Sequence, residues 1–392
     1  MESYKVLYIG GFELPDKNAA AQRVIANSKI LRDLGCKVVL AGLSKNPSDL
    51  NSPFTYQGFE CINLKYPAGL KEWFTHICCI RENITLIEKF NPNLIIAYNY
   101  PAVALKRLLR YAKINNIKII GDCTEWYQPQ GSCFFRIIKG LDVFYRMRYV
   151  HTQLDGIIVI SEYLLKYYQN HSCKVLLLPP LVDKQDIKWE LARKKASKSI
   201  DTNNVKLLYA GSPGLGNKDR LDLIIQVLQK IDQNNSIPLE FNVIGISEQD
   251  YKKNYNIENS SIIPSFVHFI GRISHEEVLT YLQMSHFQIF VRENNLANTA
   301  GFPTKFVESI SSKVLVLTNY SSDLHKYLID GQNGFVVDIS TVEQFYKTLL
   351  YALDKSTDEL SVMQSHIDSE IFDYRNYLLA MKDFLTKINI VC

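Results

Sequence analysis

Short apolar runs alternate with longer amphipathic stretches along the first half of the chain. Between the first two runs, Ala19–Leu34 carries apolar residues at helical spacing and is followed by Gly35, a frequent helix stop. Most of the runs are continuous rather than alternating, which is typical of parallel strands covered by helices on both faces. They predict βαβ units built on the strands Lys5–Ile9, Lys37–Ala41, Leu94–Ala97, Lys118–Ile120, Gly156–Ile160 and Val175–Leu178.

A proline pair and a polar stretch interrupt this alternation. Pro179-Pro180 ends the first half, and Asp183–Asn204 has the composition of a linker that includes one exposed helix. The alternation then resumes, and Ser340–Cys392 is helical in pattern. The strands predicted in this second half are Val205–Ala210, Leu239–Ile244, Val267–Ile270, Gln288–Val291, Val314–Leu317 and Gly334–Val337.

The complete pattern predicts an α/β fold of two doubly wound, Rossmann-like parallel-sheet domains. We expect domain one over residues 1–183, a linker over 184–204 and domain two over 205–370. Residues 371–392 are expected to form a C-terminal helix that could cross back to the first domain. Ligands of such sheets bind beyond the carboxyl ends of the strands, so two facing sheets would share one cleft.

The stretch Asn298–Gly334 contains the strongest local signal for a ligand. Gly301 gives the backbone freedom, and Pro303 stands where the first residue of a helix is expected. Lys305 and Glu308 lie off the apolar face of that helix. A helix N-terminus beyond a strand edge attracts anions, because unpaired N–H groups and the helix dipole meet there. This corner is predicted to hold a nucleotide diphosphate.

Two glycine clusters follow predicted strands. Gly10-Gly11 comes directly after the first strand, where it serves either as a simple turn or as a point of close ligand approach. AGSPGLGNKD, from Ala210 to Asp219, places Gly211, Ser212 and Lys218 between a strand and a helix, where glycine N–H groups and a lysine could face phosphate. Neither cluster matches the GxGxxG or the GxxxxGK[ST] fingerprint, which argues against a standard NAD site and against ATP hydrolysis of the P-loop class.

Charged residues stand at several predicted strand ends. Arg272 and Arg292 follow strands of the second half and are either ligand-binding groups or surface ion-pair partners. Asp122 and Glu125 follow a strand of the first half and are either catalytic carboxylates or helix caps. Basic and aromatic residues also interleave over Phe134–Tyr149, a pattern that fits a membrane surface or a core helix with basic residues reaching to solvent.

Composition narrows the class of protein. The chain has 392 residues, 47% hydrophobic and 21% charged, which is typical of a folded globular protein rather than a disordered one. A net charge of +4 is too small to argue for a nucleic-acid partner. There is no apolar run of about 20 residues, no signal-peptide pattern and no CxxC spacing, so we expect a cytoplasmic protein with reduced cysteines. Asp-x-Asp, HExxH and EF-hand patterns are absent from the sequence, and nothing in it supports a metal site.

Taken in order, several stretches resemble the retaining glycosyltransferases of family 4, which have the two-domain GT-B fold. The likeness covers nearly the whole chain and is more specific in the second half. The stretches that carry it are the turn Gly10-Gly11 with Arg23 and LGCKVVLAG, DGIIVISEYLLKYY with LPPLVD, YAG…NKD, GRISHEEVLTYL, and GFPTKFVESI…VLVLTNYSSDLHKYLIDGQNGFVV.

The resemblance implies a role for particular residues. Lys218 would contact the donor diphosphate, Glu308 would bind the ribose hydroxyls, and the backbone near Arg272-Ile273 would hold the base. The donor-binding set is Gly10, Gly11, Gly211, Ser212, Arg272, Ile273, Gly301, Phe302, Pro303, Thr304, Lys305 and Glu308, and the catalytic set is Lys218, Asp122, Glu125 and Arg292. No metal and no cofactor is implied, because cations and a helix dipole stabilise the leaving diphosphate.

The chain departs from the family pattern at three positions. Ala300 stands where the first of two paired glutamates is expected, and Ser212 stands where an arginine is common. Asp122 lies where members often carry a histidine. The missing glutamate leaves the sugar end of the donor site without its expected ligand.

The resulting prediction is a glycosyltransferase of polysaccharide or capsule assembly. It would move a sugar, with retention, from a UDP- or GDP-sugar to a glycan or a polyprenyl-diphosphate-linked acceptor, in peripheral contact with the inner membrane face. The rival enzymes are a GT-B epimerase and a phosphorylase. A non-catalytic nucleotide-sugar-binding partner of a glycan assembly complex is the remaining alternative, and Ala300 favours it.

Overall fold

The computed structural model describes residues 4–50, 52–127, 133–171, 173–197, 204–213, 218–235 and 237–390. The chain divides into two compact units. Unit 1 comprises Met1–Asp183, Ala300–Phe302 and Asp373–Cys392, and unit 2 comprises Lys184–Thr299 and Pro303–Phe372. Among the described helices, none has both the length and the apolar composition that crossing a bilayer requires.

Unit 1 is built on an eight-stranded sheet in the order β3-β4-β2-β1-β5-β6-β7-β8. All neighbouring pairs are parallel except β3 with β4, which form an antiparallel hairpin at one edge. The strands are β1 Lys5–Gly10, β2 Lys37–Ser44, β3 Phe54–Tyr56, β4 Phe59–Lys65, β5 Leu94–Tyr98, β6 Lys118–Cys123, β7 Gly156–Val159 and β8 Val175–Leu177.

Helices cover both faces of this sheet. Successive residues of β1 alternate between two apolar clusters: Val6 and Tyr8 pack on one face, while Leu7 and Ile9 pack on the other. The first cluster contains residues of α1 and α15, and the second contains residues of α3 and α4. The helices of the unit are α1 Ala19–Asp33, α2 Leu70–Cys78, α3 Arg81–Phe90, α4 Ala102–Ile114, α5 Cys133–Tyr145, α6 Glu162–Gln169 and, from the distant segment, α15 Leu378–Lys387.

The distant helix α15 is a full part of the core of unit 1. Met381, Phe384 and Leu385 are each at most 2% exposed and belong to the apolar cluster that contains α1. A Cβ on Gly156 of β7 would lie 2.7 Å from the ring of Phe384, so only glycine lets the helix approach the strand this closely.

Unit 2 is built on a six-stranded, all-parallel sheet in the order β11-β10-β9-β12-β13-β14. Its strands are β9 Val205–Ala210, β10 Leu239–Ile244, β11 Val267–Gly271, β12 Phe287–Ile289, β13 Leu315–Thr318 and β14 Phe335–Val336. Its helices are α7 Ile187–Ala196, α8 Leu221–Asn235, α9 Glu248–Asn254, α10 His275–Gln283, α11 Leu296–Ala300 (whose last residue falls in unit 1), α12 Thr304–Ser312, α13 Val342–Leu353 and α14 Thr357–Ser365.

The two sheets confirm the predicted α/β class with two parallel-sheet domains. The helix of the expected linker was predicted to be exposed, but one side of it is buried. Within the expected linker, α7 packs against α10 in unit 2, and Trp189 is only 4% exposed. Trp189, Ala192 and Ala196, spaced three and four residues apart, form a buried side on a helix that is polar in composition.

Candidate functional site

A cluster of charged side chains lies at the carboxyl edge of the sheet of unit 2. β9 ends at Ala210 and β12 at Ile289, so the residues that follow each strand meet at one edge. Asp219 and Arg292 form an isolated antiparallel bridge there. The sequence places Lys305 in the first turn of α12, and its side chain reaches the same point.

Asp219 is the centre of this cluster. Its carboxylate accepts hydrogen bonds from Arg292 Nε at 2.6 Å, from Tyr209 OH at 2.8 Å and from Lys305 Nζ. The main-chain carbonyl of Asp219 accepts a further hydrogen bond from Tyr255 OH at 2.6 Å. Asp219 is 1% exposed, and Arg292 and Lys305 are each 6% exposed. The ion pair between Arg292 and Asp219 is therefore buried. The sequence alternative of a surface ion pair for Arg292 is not what the structure shows.

The charges of the cluster act on one another. Burial alone would raise the pKa of Asp219, but Arg292 and Lys305 outweigh that effect and hold the pKa well below its usual range. Burial lowers the pKa of Lys305 to about 8, with Asp219 opposing the change and the positive charges of Arg292 and Lys218 adding to it. Lys218 directly precedes Asp219 in the sequence and therefore lies beside the cluster.

The glycine-rich loop leads into this cluster from β9. The N–H group of Lys218 donates to the carbonyl of Pro213 at 2.9 Å, which closes the loop at its base. Residues 214–217, with the second and third glycines, lie outside the described residues. Gly211 has φ +135°, and a Cβ built on it would lie 3.3 Å from Lys305 Nζ. Gly211 therefore allows the lysine to lie against the main chain, next to the exposed Ser212.

The N-terminus of α12 faces this charged corner. Pro303 was expected to be the first residue of the helix, but it occupies the N-cap position, so the helix begins one residue later, at Thr304. No side chain caps this end of the helix. Thr304 and Lys305 therefore begin a helix whose dipole adds positive potential to that of the lysine. Further along the helix, Glu308 Oε1 lies 3.0 Å from His275 Nε2 at the start of α10. Glu308 is held by a neighbour in the same unit.

The turn before α10 contains Arg272 and Ile273. Gly271 ends β11 with φ +76°, a left-handed conformation that favours glycine, and turns the chain into this segment. Arg272 is exposed and Ile273 is partly exposed, so the turn is open to solvent. Ser274 and Glu277 form the capping box of α10.

In unit 1, Asp122 lies inside a buried network. Its carboxylate accepts hydrogen bonds from Arg23 Nη2 at 2.8 Å, from Arg23 Nε at 3.1 Å and from Tyr8 OH. Arg23 Nη1 also donates to the carbonyl of Leu178 at 2.9 Å. Asp122 is 1% exposed and Arg23 is 3% exposed. Through Arg23, the carboxylate of Asp122 links β6 to α1 and to the segment after β8. Asp122 therefore neither caps a helix nor faces solvent.

A cavity of about 430 Å³ lies at the carboxyl edge of the sheet of unit 1. Gly10 lines it, and a Cβ on this glycine would lie 2.5 Å from the carbonyl oxygen of Tyr98, so strand packing alone requires glycine here. Gly11 is exposed, with open space around it. Glu125 is partly exposed and is not among the residues that line the cavity. Polar residues of α2 and α3 complete the lining, among them His76 and Asn83.

The basic and aromatic stretch around α5 divides into an exposed and a buried part. Arg146 is 3% exposed and donates to the carbonyls of Asn99 and Tyr100 at 3.3 and 3.4 Å, so it belongs to the core. The side chain of Phe134 lies outside the described residues. The apolar side chains that are at least 40% exposed on α5 are Phe135, Ile137, Ile138, Leu141 and Phe144.

The position of the missing glutamate is buried in unit 1. Ala300 is 0% exposed, and its carbonyl accepts a hydrogen bond from Ser161 Oγ at 2.7 Å. Gly301 and Phe302 are buried as well. Among the described residues, no three His, Cys, Asp or Glu side chains are grouped so as to hold a metal ion.

Three residues of these sites were not predicted from the sequence. Asp219 lies in the stretch NKD without a predicted role, Tyr209 lies within the predicted strand Val205–Ala210, and His275 lies within the stretch GRISHEEVLTYL. The signal for Asp219 was a carboxylate in a loop otherwise rich in glycine and cations. Its partners Arg292 and Lys305 are 73 and 86 residues away, so only the fold brings them together.

One family model matches the part of the chain that holds the cluster. Residues 192–365 match the family model described as "Glycosyl transferases group 1". This part of the chain is therefore similar to glycosyltransferase group 1 domains. The matched range contains all the residues of the charged cluster. No curated protein matches the chain.

Solved structures share the fold over nearly the whole chain. Sucrose-phosphate synthase from Thermosynechococcus elongatus is 13% identical with a TM-score of 0.72, and the alignment covers 99% of both chains. The catalytic domain of starch synthase IV from Arabidopsis thaliana, bound to ADP and acarbose, is 12% identical with a TM-score of 0.69, over 99% of this chain and 100% of that one. HepE of Anabaena in complex with UDP-glucose is 12% identical with a TM-score of 0.67, over 97% and 99%. The chain therefore shares the GT-B-type fold of these structures.

Proposed function

We propose that this protein transfers a sugar from a nucleotide-diphosphate sugar to a glycan or lipid-linked acceptor, with retention of the anomeric configuration. The observation that carries the proposal is the convergence of Arg292 and Lys305 on the buried carboxylate of Asp219, within the range that matches the group 1 model. Two cations on one anion leave an excess of positive charge, which suits a diphosphate. The complexes of HepE with UDP-glucose and of starch synthase IV with ADP support a nucleotide-sugar donor.

In the proposed reaction the bond from the anomeric carbon to the diphosphate breaks, and negative charge develops on the departing oxygen. Lys218, Arg292 and the dipole of α12 stabilise that charge, so the reaction needs no divalent metal. The acceptor hydroxyl attacks from the same face as the leaving group, assisted by the leaving phosphate, which accepts its proton. Glu308, held by His275, binds the ribose hydroxyls and fixes the nucleoside end.

The acceptor is proposed to bind in the 430 Å³ cavity of unit 1. β1, β2 and β4 end at this cavity, where ligands of parallel sheets bind. Asn83 Nδ2 donates to Tyr100 OH at 2.5 Å, and both line the cavity with His76. Burial lowers the pKa of His76, so its ring is neutral at pH 7 and can exchange hydrogen bonds with sugar hydroxyls.

A lipid-linked acceptor agrees with the surface of α5. Five apolar side chains on this helix are 40% to 63% exposed, a larger apolar patch than an isolated surface residue makes. Arg136 and Arg148 are exposed beside them, which suits anionic headgroups. We propose peripheral contact with an anionic membrane through this helix, in the assembly of a surface polysaccharide or glycoconjugate.

The test is a donor and acceptor panel with the full chain. UDP- and GDP-sugars are incubated with glycan and polyprenyl-diphosphate acceptors, with and without EDTA, and products are identified by mass spectrometry and anomeric NMR. A glycosylated acceptor with retained configuration, insensitive to EDTA, is the expected result. An epimerised donor without acceptor would indicate an epimerase. Tight nucleotide binding with no turnover would indicate the non-catalytic partner that Ala300 favours, and the absence of both binding and turnover would refute the proposal.

A further inference from the structure

The cavity of unit 1 contains a buried hydrogen-bond acceptor that the protein itself does not use. Asn83 lines this cavity and is 5% exposed, and its Oδ1 atom has no hydrogen-bond partner among the described residues. Its Nδ2 atom donates to the hydroxyl of Tyr100, which keeps its own proton for a further partner. A buried acceptor without a donor costs free energy that a ligand hydroxyl would recover. The two side chains therefore suit one hydroxyl group, which would donate to Asn83 and accept from Tyr100.

Two cations that line the same cavity have no counter-ion. Lys71 and Arg81 are exposed, and neither forms an ion pair in the part of the chain that the structure describes. By contrast, Lys65 in the same lining pairs with Glu72 at 2.5 Å. With that pair neutral, Lys71 and Arg81 exceed the remaining carboxylate of the lining, Glu82, by one positive charge. The cavity therefore favours a ligand that carries negative charge.

Both cations stand in the first turn of a helix, where positive charge is unfavourable. Arg81 is the first residue of α3 and Lys71 is the second of α2, and neither helix has a side-chain cap at its N-terminus. Each first turn also holds a glutamate, the usual residue there, because a helix N-terminus has unpaired N–H groups and partial positive charge. The first three residues of α3 all line the cavity. An anionic ligand accounts for the two cations, whereas helix stability does not.

We propose that this cavity binds an anionic sugar, one that carries a carboxylate or a phosphate, as the acceptor of the transfer. The inference rests on the proposed function and names the chemical class of its acceptor. Arg81 and Lys71 bind the anionic group together with the N-terminus of α3. Asn83 and Tyr100 bind a hydroxyl of the same sugar. Apolar residues of β1, β2 and β4 line the rest of the cavity and suit the C–H face of the sugar ring.

Cys79 gives a direct measure of occupancy. It is exposed and lines the cavity, whereas Cys173 lies between α6 and β8, outside the lining. The full chain is alkylated with N-ethylmaleimide, and the modification of each cysteine is followed by peptide mass spectrometry. A ligand in the cavity should slow the alkylation of Cys79 and leave that of Cys173, the internal control, unchanged. The ligand concentration that halves the rate at Cys79 gives an apparent Kd that does not depend on transfer activity.

Four probes separate the possible ligands: methyl β-glucuronide, glucose 6-phosphate, methyl β-glucoside and inorganic phosphate. The two anionic sugars should bind about tenfold more tightly than the neutral glucoside, the effect of one charge-assisted contact. The tighter of the two identifies the anion as a carboxylate or a phosphate. Inorganic phosphate, which lacks the sugar ring, should bind more weakly than glucose 6-phosphate. Raising NaCl from about 50 mM to about 500 mM should weaken only the charged probes, because salt screens exposed charges.

Variants assign the preference to the two cations. Arg81→Gln removes the charge and keeps a hydrogen-bonding side chain, so it should lose most of the preference for anionic sugars while the apparent Kd of the glucoside stays the same. The Tm should not fall, since the substitution removes a cation from a helix N-terminus. The double variant Arg81→Gln, Lys71→Gln should lose the preference completely. Arg110→Gln, at an exposed arginine of α4 outside the lining, is the matched control and should change nothing.

Equal binding of the neutral and the anionic sugars would overturn the inference and leave the proposed transferase function intact. The inference also fails if the preference survives in the double variant, or if inorganic phosphate binds as tightly as glucose 6-phosphate. If no sugar protects Cys79 although the acceptor panel gives a transfer product, the cavity is not the acceptor site, and only the inference is wrong. If anionic sugars protect Cys79 but the panel gives no transfer, the proposed function fails, while the site for an anionic sugar remains.

Discussion

Asp122 and Arg23 allow a decisive test of whether a buried carboxylate is structural or catalytic. Replacing Asp122 by Asn keeps the shape of the side chain and removes its charge. Arg23 then keeps its carbonyl partner Leu178 but has no counter-ion within a site where both residues are at most 3% exposed. Removing one partner of a buried ion pair costs about 3–5 kcal/mol. For a unit of this size, that corresponds to a fall in Tm of roughly 6–20 °C.

Differential scanning calorimetry is the suitable assay, because two compact units can unfold in separate transitions. The transition of unit 1 should move to lower temperature in Asp122→Asn, and that of unit 2 should not. The double variant Arg23→Met, Asp122→Leu removes both charges and should regain most of the loss, since replacing a buried pair by apolar residues is often neutral. If Asp122→Asn leaves both transitions within about 1 °C while transfer activity disappears, the carboxylate is catalytic and this reasoning fails.

Three further outcomes are expected. Lys218→Ala should lower the rate of transfer on the order of 10²-fold at saturating donor, because one stabiliser of the leaving diphosphate is lost, and turnover near the natural value would exclude that role. Glu308→Gln should raise the KM for the nucleotide-sugar about 10-fold with a smaller change in kcat. The natural protein should bind a nucleoside more tightly than its 2′,3′-dideoxy analogue, whereas the variant should bind both with equal Kd values. Leu141→Asp on α5 should abolish sedimentation with liposomes containing anionic lipid, whereas Leu379→Asp on α15, where the leucine is 70% exposed, should sediment as before.

Most of the strands that the sequence pattern identified are buried along nearly their whole length. Leu94–Tyr98 is fully buried along its length, and its continuous apolar run left no other interpretation. β4 was missed, because its burial alternates, with Glu60 and Asn63 interrupting the apolar residues. The second strand of the β3-β4 hairpin therefore has no continuous apolar run for the pattern to reveal.

The partners within the buried ion pairs could not be predicted from the sequence, for a different reason. Lys218 and Arg292 were both identified as candidates from their place after strands, and the fold brings them to one edge. Nothing local shows that Asp219 lies between Arg292 and Lys305, or that Asp122 pairs with Arg23, since each contact joins distant segments. The sequence supplied the charges, and their pairing depends on the order of strands in the sheet.

Helix α15 has a consequence for how the protein is made. Ribosomes deliver the residues of unit 2 before Met381, Phe384 and Leu385, which fill the core of unit 1. Until these three side chains emerge, the face of the first sheet that carries Gly156 is incompletely covered, although its strands were synthesised first. Domains usually fold in the order of synthesis. Here the first unit to be synthesised is the last whose core can close.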